Sequence, residues 1–533
     1  MYCREISIYF ECFVRLYTSK MPRKYTSFTN YFLLVVFATL SIIGIVHHPM
    51  WLDEVNCWLM VKSSHSLKEL FQSNHYQGYL SLWEFLLYGL SRFTGNIFYV
   101  QVLNITISIL AAYLFLRYAP FSLIIKICIL FSYFFLFEYT LISRSYALTW
   151  LFLMVFCILF TRKKRNYPVI VFALIIIANT HLLSLVTSIP LFIITLCFMR
   201  KDMPNPRTII GLGFLFIAGI AISLFNMMPP ENATIFQTKE SYFSFDHTFK
   251  ALSFFVKGLY PIPDFTSFHF WNSNFIVVHI KWLSILLTVV ILLIPCLIFH
   301  EKYFILLFFY IANWGIVLSL FALRITVGTR YMGYCFMILL VSLWLNTDER
   351  FSRKPFFAPK WLPAVINVTR FVFKPFLWSI LSIQLLSGIY TYSVTLYTPF
   401  SEGKNAADFI KNNLPLHSKI IVFPTPSGPS ISTYLNRELY YPQTGICGTF
   451  YPWTALPVID TKELTRRIAG SLDGDSSNYK AIVFASNMDS LSSVENLIES
   501  KLDTGKYSIF KKVTMDSGMV KSENYVVYFL RKS

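Results

Sequence analysis

Two adjacent carboxylates stand just past the first long apolar run of the chain, in Trp51-Leu52-Asp53-Glu54-Val55-Asn56-Cys57-Trp58. A charge beside hydrocarbon costs a few kcal/mol unless it is solvated or used, so an acidic pair at a membrane rim is a functional candidate by default. The same two residues also suit the positive end of a helix running on to Lys62, and both readings can hold at once. Arg144 opens a later apolar run in Ser143-Arg144-Ser145-Tyr146 and, like Arg330, Arg324 and Lys257, stands outside the basic clusters of the chain. A guanidinium fork suits bidentate contact with an oxyanion better than an ammonium does. The bland alternative is an interface anchor whose charge snorkels to headgroups. His47, His48, His75 and His181 could gather at the same rim and, with Asp53, form a divalent-metal site. Their spacing does not enforce it, and an isolated interfacial His is more often an anchor or a hydrogen-bond donor.

The elements that must position these groups are membrane helices. The 533-residue chain is 55% hydrophobic and only 14% charged, with 53 Phe, against roughly 25% charge in a soluble protein. A soluble domain needs a charged surface, so lipid must supply the missing solvent. Apolar runs long enough to span occur at 28–46, 97–116, 121–139, 146–161, 167–179, 182–199, 208–226, 279–299, 303–323, 329–345 and 375–395, about eleven spans. A further segment, 78–92, with Trp83, Glu84, Tyr88 and Arg92 among Leu and Phe, suits a helix lying in the interface plane.

The net charge of +18 does not indicate nucleic acid, because it sits in short loops between apolar runs, as in Arg162-Lys163-Lys164-Arg165 and Arg200-Lys201. Such loops face the cytoplasm. With 78–92 in the interface, every basic cluster falls on the cytoplasmic side. The opposite face then carries a first loop from His47 to Asn96, the turn around Ser143 to Tyr146, Thr180-His181, a long loop from Met227 to Val278, and Arg324 to Thr329. The nine Cys show no metal spacing, and a disulfide between Cys57 and Cys447 is disfavoured. Residues 1–27 carry no cleavage signature, so the first span reads as an uncleaved anchor.

From residue 398 on, the composition changes to that of a soluble unit, which divides the chain into 1–397 and 398–533. Strand-like runs at 419–423, 480–484 and 525–529 alternate with helical patterns at 406–414, 431–436, 462–472 and 493–502, the sign of a small α/β domain. Thr425 to Pro429 lacks the Lys and the glycine spacing of a phosphate loop.

Asp53-Glu54 after the first span, His75-Tyr76-Gln77-Gly78-Tyr79-Leu80 some twenty residues on, and Ser143-Arg144-Ser145-Tyr146-Ala147-Leu148 opening a later span resemble the polytopic glycosyltransferases of the GT-C fold. Within them the chain is similar to the group of protein mannosyltransferases and lipid A aminoarabinose transferases, where the pieces read as an acidic pair, a His-Pro-Pro-Leu stretch and an Arg-x-Tyr-x-Leu turn. Gln77 and Gly78 stand here in place of the prolines. The resemblance implies a polyprenyl-phosphate-linked sugar donor, a glycan, lipid or protein acceptor, and transfer with inversion at the outer face of a bacterial inner membrane. It implies Asp53 as general base with Glu54 orienting it or the acceptor. The leaving phosphate would fall to Arg144 first, then Arg330, with Arg324 and Lys257 behind, and His75, Tyr146 and His181 would line the substrate. No cofactor is required, and a divalent metal stays an open option. A flippase or transporter of lipid-linked sugars, or a polysaccharide polymerase or ligase, is the competing reading. Transporters place charges at mid-span, whereas here Lys126 and Glu138 lie near the ends of their run.

Overall fold

The computed structural model of the protein describes residues 23–76, 82–227, 245–323, 328–351, 362–453, 456–457, 459–473, 478–486 and 507–533. The chain begins with α1 (Arg23–Val46), α2 (Leu52–Ser63), α3 (Leu67–His75), α4 (Leu82–Ser91), α5 (Phe98–Tyr118) and α6 (Leu123–Leu130). After a π-helical turn at Tyr133–Glu138 come α7 (Tyr146–Thr161), α8 (Tyr167–Ala178), α9 (Leu182–Asp202), α10 (Pro206–Met227), α11 (Phe245–Leu252), α12 (Phe254–Leu259) and α13 (Phe275–His279). The helical part ends with α14 (Lys281–Ile298), α15 (Tyr303–Ala322), α16 (Thr329–Asn346) and α17 (Leu362–Tyr397).

Seven helices among the described residues are long and apolar enough to cross a membrane: α1, α5, α9, α10, α14, α15 and α17. Their burial patterns show why lipid is needed. On α1, Leu33, Phe37, Ser41 and Ile45 recur every four residues on the packed face, while Phe28, Tyr31, Phe32, Val35 and Ile42 are exposed. On α10, the bare surface is Ile210, Phe214, Ile217, Ile222 and Phe225. An exposed apolar band of that extent is stable only against hydrocarbon. The protein is thus a polytopic integral membrane protein.

The count of eleven spans is not reproduced. Runs 146–161 and 167–179 form the shorter apolar helices α7 and α8, and 329–345 forms the 18-residue α16, which opens with Thr329-Arg330. Run 121–139 breaks in two, because the Ser132 hydroxyl accepts from the Phe135 N–H at 3.2 Å and restarts the backbone as the π-helical turn. The broken piece packs closely on α17, where a Cβ at Gly388 would lie 2.4 Å from the Phe131 carbonyl oxygen. Of the interface segment 78–92, α4 is described. Its Trp83 and Glu84 are buried, and the Cys57 thiol donates to Glu84 Oε1 at 3.3 Å, so the acidic group faces α2 instead of headgroups.

Past α17 the chain forms β1 (Lys419–Phe423), β2 (Leu439–Tyr441), β3 (Ile446–Gly448), β4 (Tyr479–Ala485), β5 (Tyr507–Met515) and β6 (Tyr525–Lys532) in the order β3-β2-β1-β4-β6-β5. The helices α18 (Gly403–Asn413), α19 (Gly428–Leu435) and α20 (Thr461–Asp473) cover it. β1 is parallel to β2 and β4, while β6 is antiparallel to β4 and β5. Period-2 alternation sends Ile420 and Val422 to one core and Ile421 to the other, which is packed by Leu464 and Ile468 of α20. The three expected strands and three of the four expected helices are present, and the helix expected at 493–502 lies outside the described residues. The thiols of Cys57 and Cys447 are both free.

Candidate active site

The acidic pair stands in the first turn of α2, as its helix-start reading expects, but the two carboxylates have different surroundings. Glu54 is enclosed. Its Oε2 accepts from the Trp51 N–H at 3.2 Å and lies 3.0 Å from His48 Nε2, while Oε1 accepts from the Ser143 N–H at 2.5 Å. It therefore ties the end of the first span and the Ser143 turn to the first turn of α2. A glutamine there has a single acceptor oxygen for these donors, and an unmatched buried donor costs about 1–3 kcal/mol. Glu54→Gln is accordingly expected to lower the melting temperature of the purified protein, as read by a thermal unfolding scan in detergent.

Asp53 is the more open of the two, with 11% of its side chain exposed. Arg330 Nη2 donates to its Oδ2 at 2.6 Å and lies 3.3 Å from the Tyr331 hydroxyl. The guanidinium sits over the rings of Trp51 and Tyr331, each 5.0 Å away. Arg144 Nη1 donates to the Asp53 carbonyl oxygen at 2.6 Å. The pair and the solitary arginine expected at one edge are thus in contact, with Arg330 on the carboxylate and Arg144 on the backbone behind it.

Close packing sets the height of Arg330. The Tyr139 hydroxyl donates to the Arg330 carbonyl at 3.0 Å, and a Cβ at Gly333, one turn along α16, would come within 2.1 Å of that hydroxyl. Only glycine admits the approach.

Tyr146 and His181 form the floor. The His181 ring lies 5.2 Å from Tyr146, 5.7 Å from Tyr331 and 5.9 Å from Tyr334. His181 caps α9, its Nδ1 accepting from the Leu183 N–H at 3.2 Å. Burial, then the charges of Arg144 and Arg330, push its pKa down to about 3, so it is neutral at physiological pH and serves as an aromatic wall. An unfolded His takes a proton near pH 6.5 that the folded one refuses. Stability is therefore present above pH 6.5 and is lost as pH falls toward 3. His181→Gln is expected to flatten this acid limb in melting temperature against pH.

His75 ends α3 half-buried and makes no hydrogen bond, ion pair or ring contact with this cluster. Lys257 lies on α12, where Gly258 abuts the Met332 carbonyl of α16; burial and then Lys250 push its pKa down to about 8. Arg324 lies outside the described residues. The histidines do not converge: His47 is exposed, His48 is engaged by Glu54 and His181 by the aromatic floor. Among the described residues no group of three or more His, Cys, Asp or Glu is placed to hold a metal.

The structure adds groups that sequence reasoning passed over. Glu138 is fully buried at the end of the π-helical turn, with Oε2 accepting from the Tyr133 hydroxyl at 3.0 Å and from Trp271 Nε1 at 3.4 Å. Trp271 meets Trp51 edge-on at 4.7 Å, and Phe400, from the link to the sheet, meets Trp271 at 4.9 Å and His48 at 4.6 Å. A lone carboxylate in an apolar run was the available signal for Glu138. Nothing local marked Phe400.

No protein-family model matches the sequence, and no curated protein matches it. Among solved structures, the chain is similar to ArnT from Cupriavidus metallidurans bound to undecaprenyl phosphate, with 11% identity and a TM-score of 0.44 over 93% of this chain and 98% of that one. The apo state of the same protein gives 12% identity and a TM-score of 0.43 over 93% and 97%. No residue role follows from a likeness at that level.

Proposed function

We propose that this chain is a membrane glycosyltransferase that moves a sugar from a polyprenyl-phosphate donor to an envelope acceptor, with inversion, at the bilayer edge where the C-terminal sheet docks. The observation that carries the reading is the Asp53–Arg330 pair, a largely buried carboxylate and guanidinium 2.6 Å apart, walled by Trp51, Tyr331 and the Tyr146–His181 floor. A base and a cation side by side match the two charges that sugar transfer generates.

In the proposed reaction the acceptor hydroxyl gives its proton to Asp53 as its oxygen attacks the anomeric carbon from the face opposite the phosphate. The bond from that carbon to the phosphate oxygen breaks, and the electron pair leaves with the phosphate. Arg330 is the better placed of the two arginines for that anion, because it meets a carboxylate oxygen while Arg144 is engaged by the Asp53 backbone. An arriving phosphate competes with Asp53 for the guanidinium, so donor binding frees the base. Glu54 acts through the backbone, holding the turn on which Asp53 stands. In this reading residues 1–397 form the transferase unit, with the 47–96 loop contributing the base. Residues 398–533 lie on the outer face of a bacterial inner membrane.

The test is turnover without a second compartment. Purified full-length protein in detergent, given polyprenyl-phosphate-linked hexoses or pentoses and an envelope lipid and glycan extract, is expected to release polyprenyl phosphate. Absence of release, together with movement of the intact lipid-linked sugar across proteoliposomes, would establish the flippase instead.

A further inference from the structure

The first turn of α2, which carries Asp53, is capped from within only in part, by Glu54 Oε2 accepting the Trp51 N–H at 3.2 Å. Its N-cap residue is Trp51, whose indole nitrogen only donates, so no side chain at that position accepts from the free N–H groups of the helix start. The acceptor comes from far along the chain. Glu523 Oε1 accepts the Leu52 N–H at 2.5 Å across 471 residues, and also accepts from the Ser430 hydroxyl at 2.9 Å. The Tyr434 hydroxyl accepts the Met50 N–H at 2.8 Å. Asn56, one turn further on, pairs reciprocally with the Tyr451 backbone, Nδ2 to the carbonyl at 2.8 Å and the N–H to Oδ1 at 2.6 Å. Glu523 is 1% exposed, and its own backbone carbonyl accepts from the Glu402 N–H at 3.2 Å. Three separate segments of the sheet unit therefore grip residues 50–56 on both sides of Asp53.

We infer that the C-terminal unit is part of the catalytic apparatus, with Glu523 a positioning residue that completes the cap of α2 at the Leu52 N–H and so fixes the direction of the Asp53 carboxylate. The inference rests on the reading of Asp53 as the base. A carboxylate is suited to the task because it accepts two hydrogen bonds on one oxygen and complements the positive end of the helix. Among its described residues the sheet unit shows no catalytic constellation of its own, and its contacts through Glu523, Tyr434 and Tyr451 fall on the turn that bears the base. The acceptor must therefore approach a base whose aim is set by a domain other than the one that carries it.

The experiment compares Glu523→Leu, Glu523→Gln, Tyr434→Phe and Asp53→Asn in the full-length protein, using polyprenyl-phosphate release for kcat and donor KM. Hydrogen exchange of the 50–58 peptide is measured in parallel. Glu523→Leu is expected to lower kcat on the order of 10²-fold, the scale of a misplacement of about 1 Å. Donor KM is expected to hold, and exchange at 50–58 to rise. Glu523→Gln, which keeps an oxygen for the Leu52 N–H, is expected to recover most of the loss, an outcome that a purely structural charge would not give. Tyr434→Phe removes one grip without burying a new charge. If Glu523→Leu fails to insert, a fall in kcat with raised exchange in Tyr434→Phe supports the inference and wild-type values overturn it. An inactive Asp53→Asn beside a Glu523→Leu of wild-type kcat and exchange overturns this inference alone. An Asp53→Asn of wild-type rate removes the base reading itself.

Discussion

Asp53→Asn is expected to lower kcat by about 10²–10⁴-fold, the usual worth of a positioned general base, with the protein still inserted and able to bind donor. The amide has the same shape and keeps an oxygen facing Arg330, so the 2.6 Å contact survives as a weaker hydrogen bond. What is lost is the capacity to take the acceptor proton. The measurement is single-turnover release of polyprenyl phosphate at saturating donor, with donor binding followed separately. A variant that binds donor and turns it over at the wild-type rate would remove Asp53 from the chemistry. The same substitution leaves Arg330 without its counter-charge, in a site where the guanidinium side chain is only 11% exposed. Some loss of melting temperature should therefore accompany the loss of rate, and restoring stability by added lipid should leave the rate low.

The second large effect is expected at Arg330. Arg330→Lys keeps the charge and loses the planar fork and its stacking between Trp51 and Tyr331. Losing one donor to a developing oxyanion typically costs about 10²–10³ in kcat. The lysine variant should fall in that range, with a larger loss for Arg330→Ala. Arg144→Lys is expected to behave differently, because Arg144 donates to a backbone carbonyl, and its loss should appear as instability before it appears in kcat. A double-mutant cycle separates the pair from the chemistry. If the Asp53–Arg330 contact is an ion pair in the resting site, the Asp53→Ala, Arg330→Ala double variant should melt at a higher temperature than either single variant. Equal donor turnover in wild type and Arg330→Lys would move the phosphate site elsewhere, with Lys257 and Arg324 as the remaining candidates from the sequence.

Several of these relations were legible without coordinates. The first span, the acidic pair behind it and the arginine turn at Ser143–Tyr146 follow from hydropathy and from the cost of charge beside hydrocarbon. The strands at 419–423 and 525–529 follow from β-branched and aromatic runs. Other features left no local trace. β2 and β3 have three residues each and are joined by a turn in which Gly445 takes φ +77°, too short for any periodicity to register. β5 is an edge strand whose Lys511 and Lys512 interrupt the apolar pattern. The break in 121–139 turns on one hydroxyl, Ser132, within a run that hydropathy reads as continuous. The relative standing of the two arginines was also hidden. Sequence context favours Arg144 because it is isolated, while Arg330 opens α16 and reads as an ordinary span boundary.

By itself the sequence determined that this protein crosses a membrane many times and that its last part is an α/β unit, and it singled out Asp53 and Arg144, which the fold brings into contact. Those properties depend on composition and short-range periodicity, which each segment carries alone. Only the tertiary structure decided which guanidinium meets the Asp53 carboxylate, that Glu54 is fully enclosed while Asp53 keeps a narrow exposed margin, and that the Leu52 N–H at the start of α2 is met by Glu523. The partners of those contacts lie 277 and 471 residues apart. No propensity or spacing rule reaches that far, because such contacts exist only once the helices and the sheet have packed.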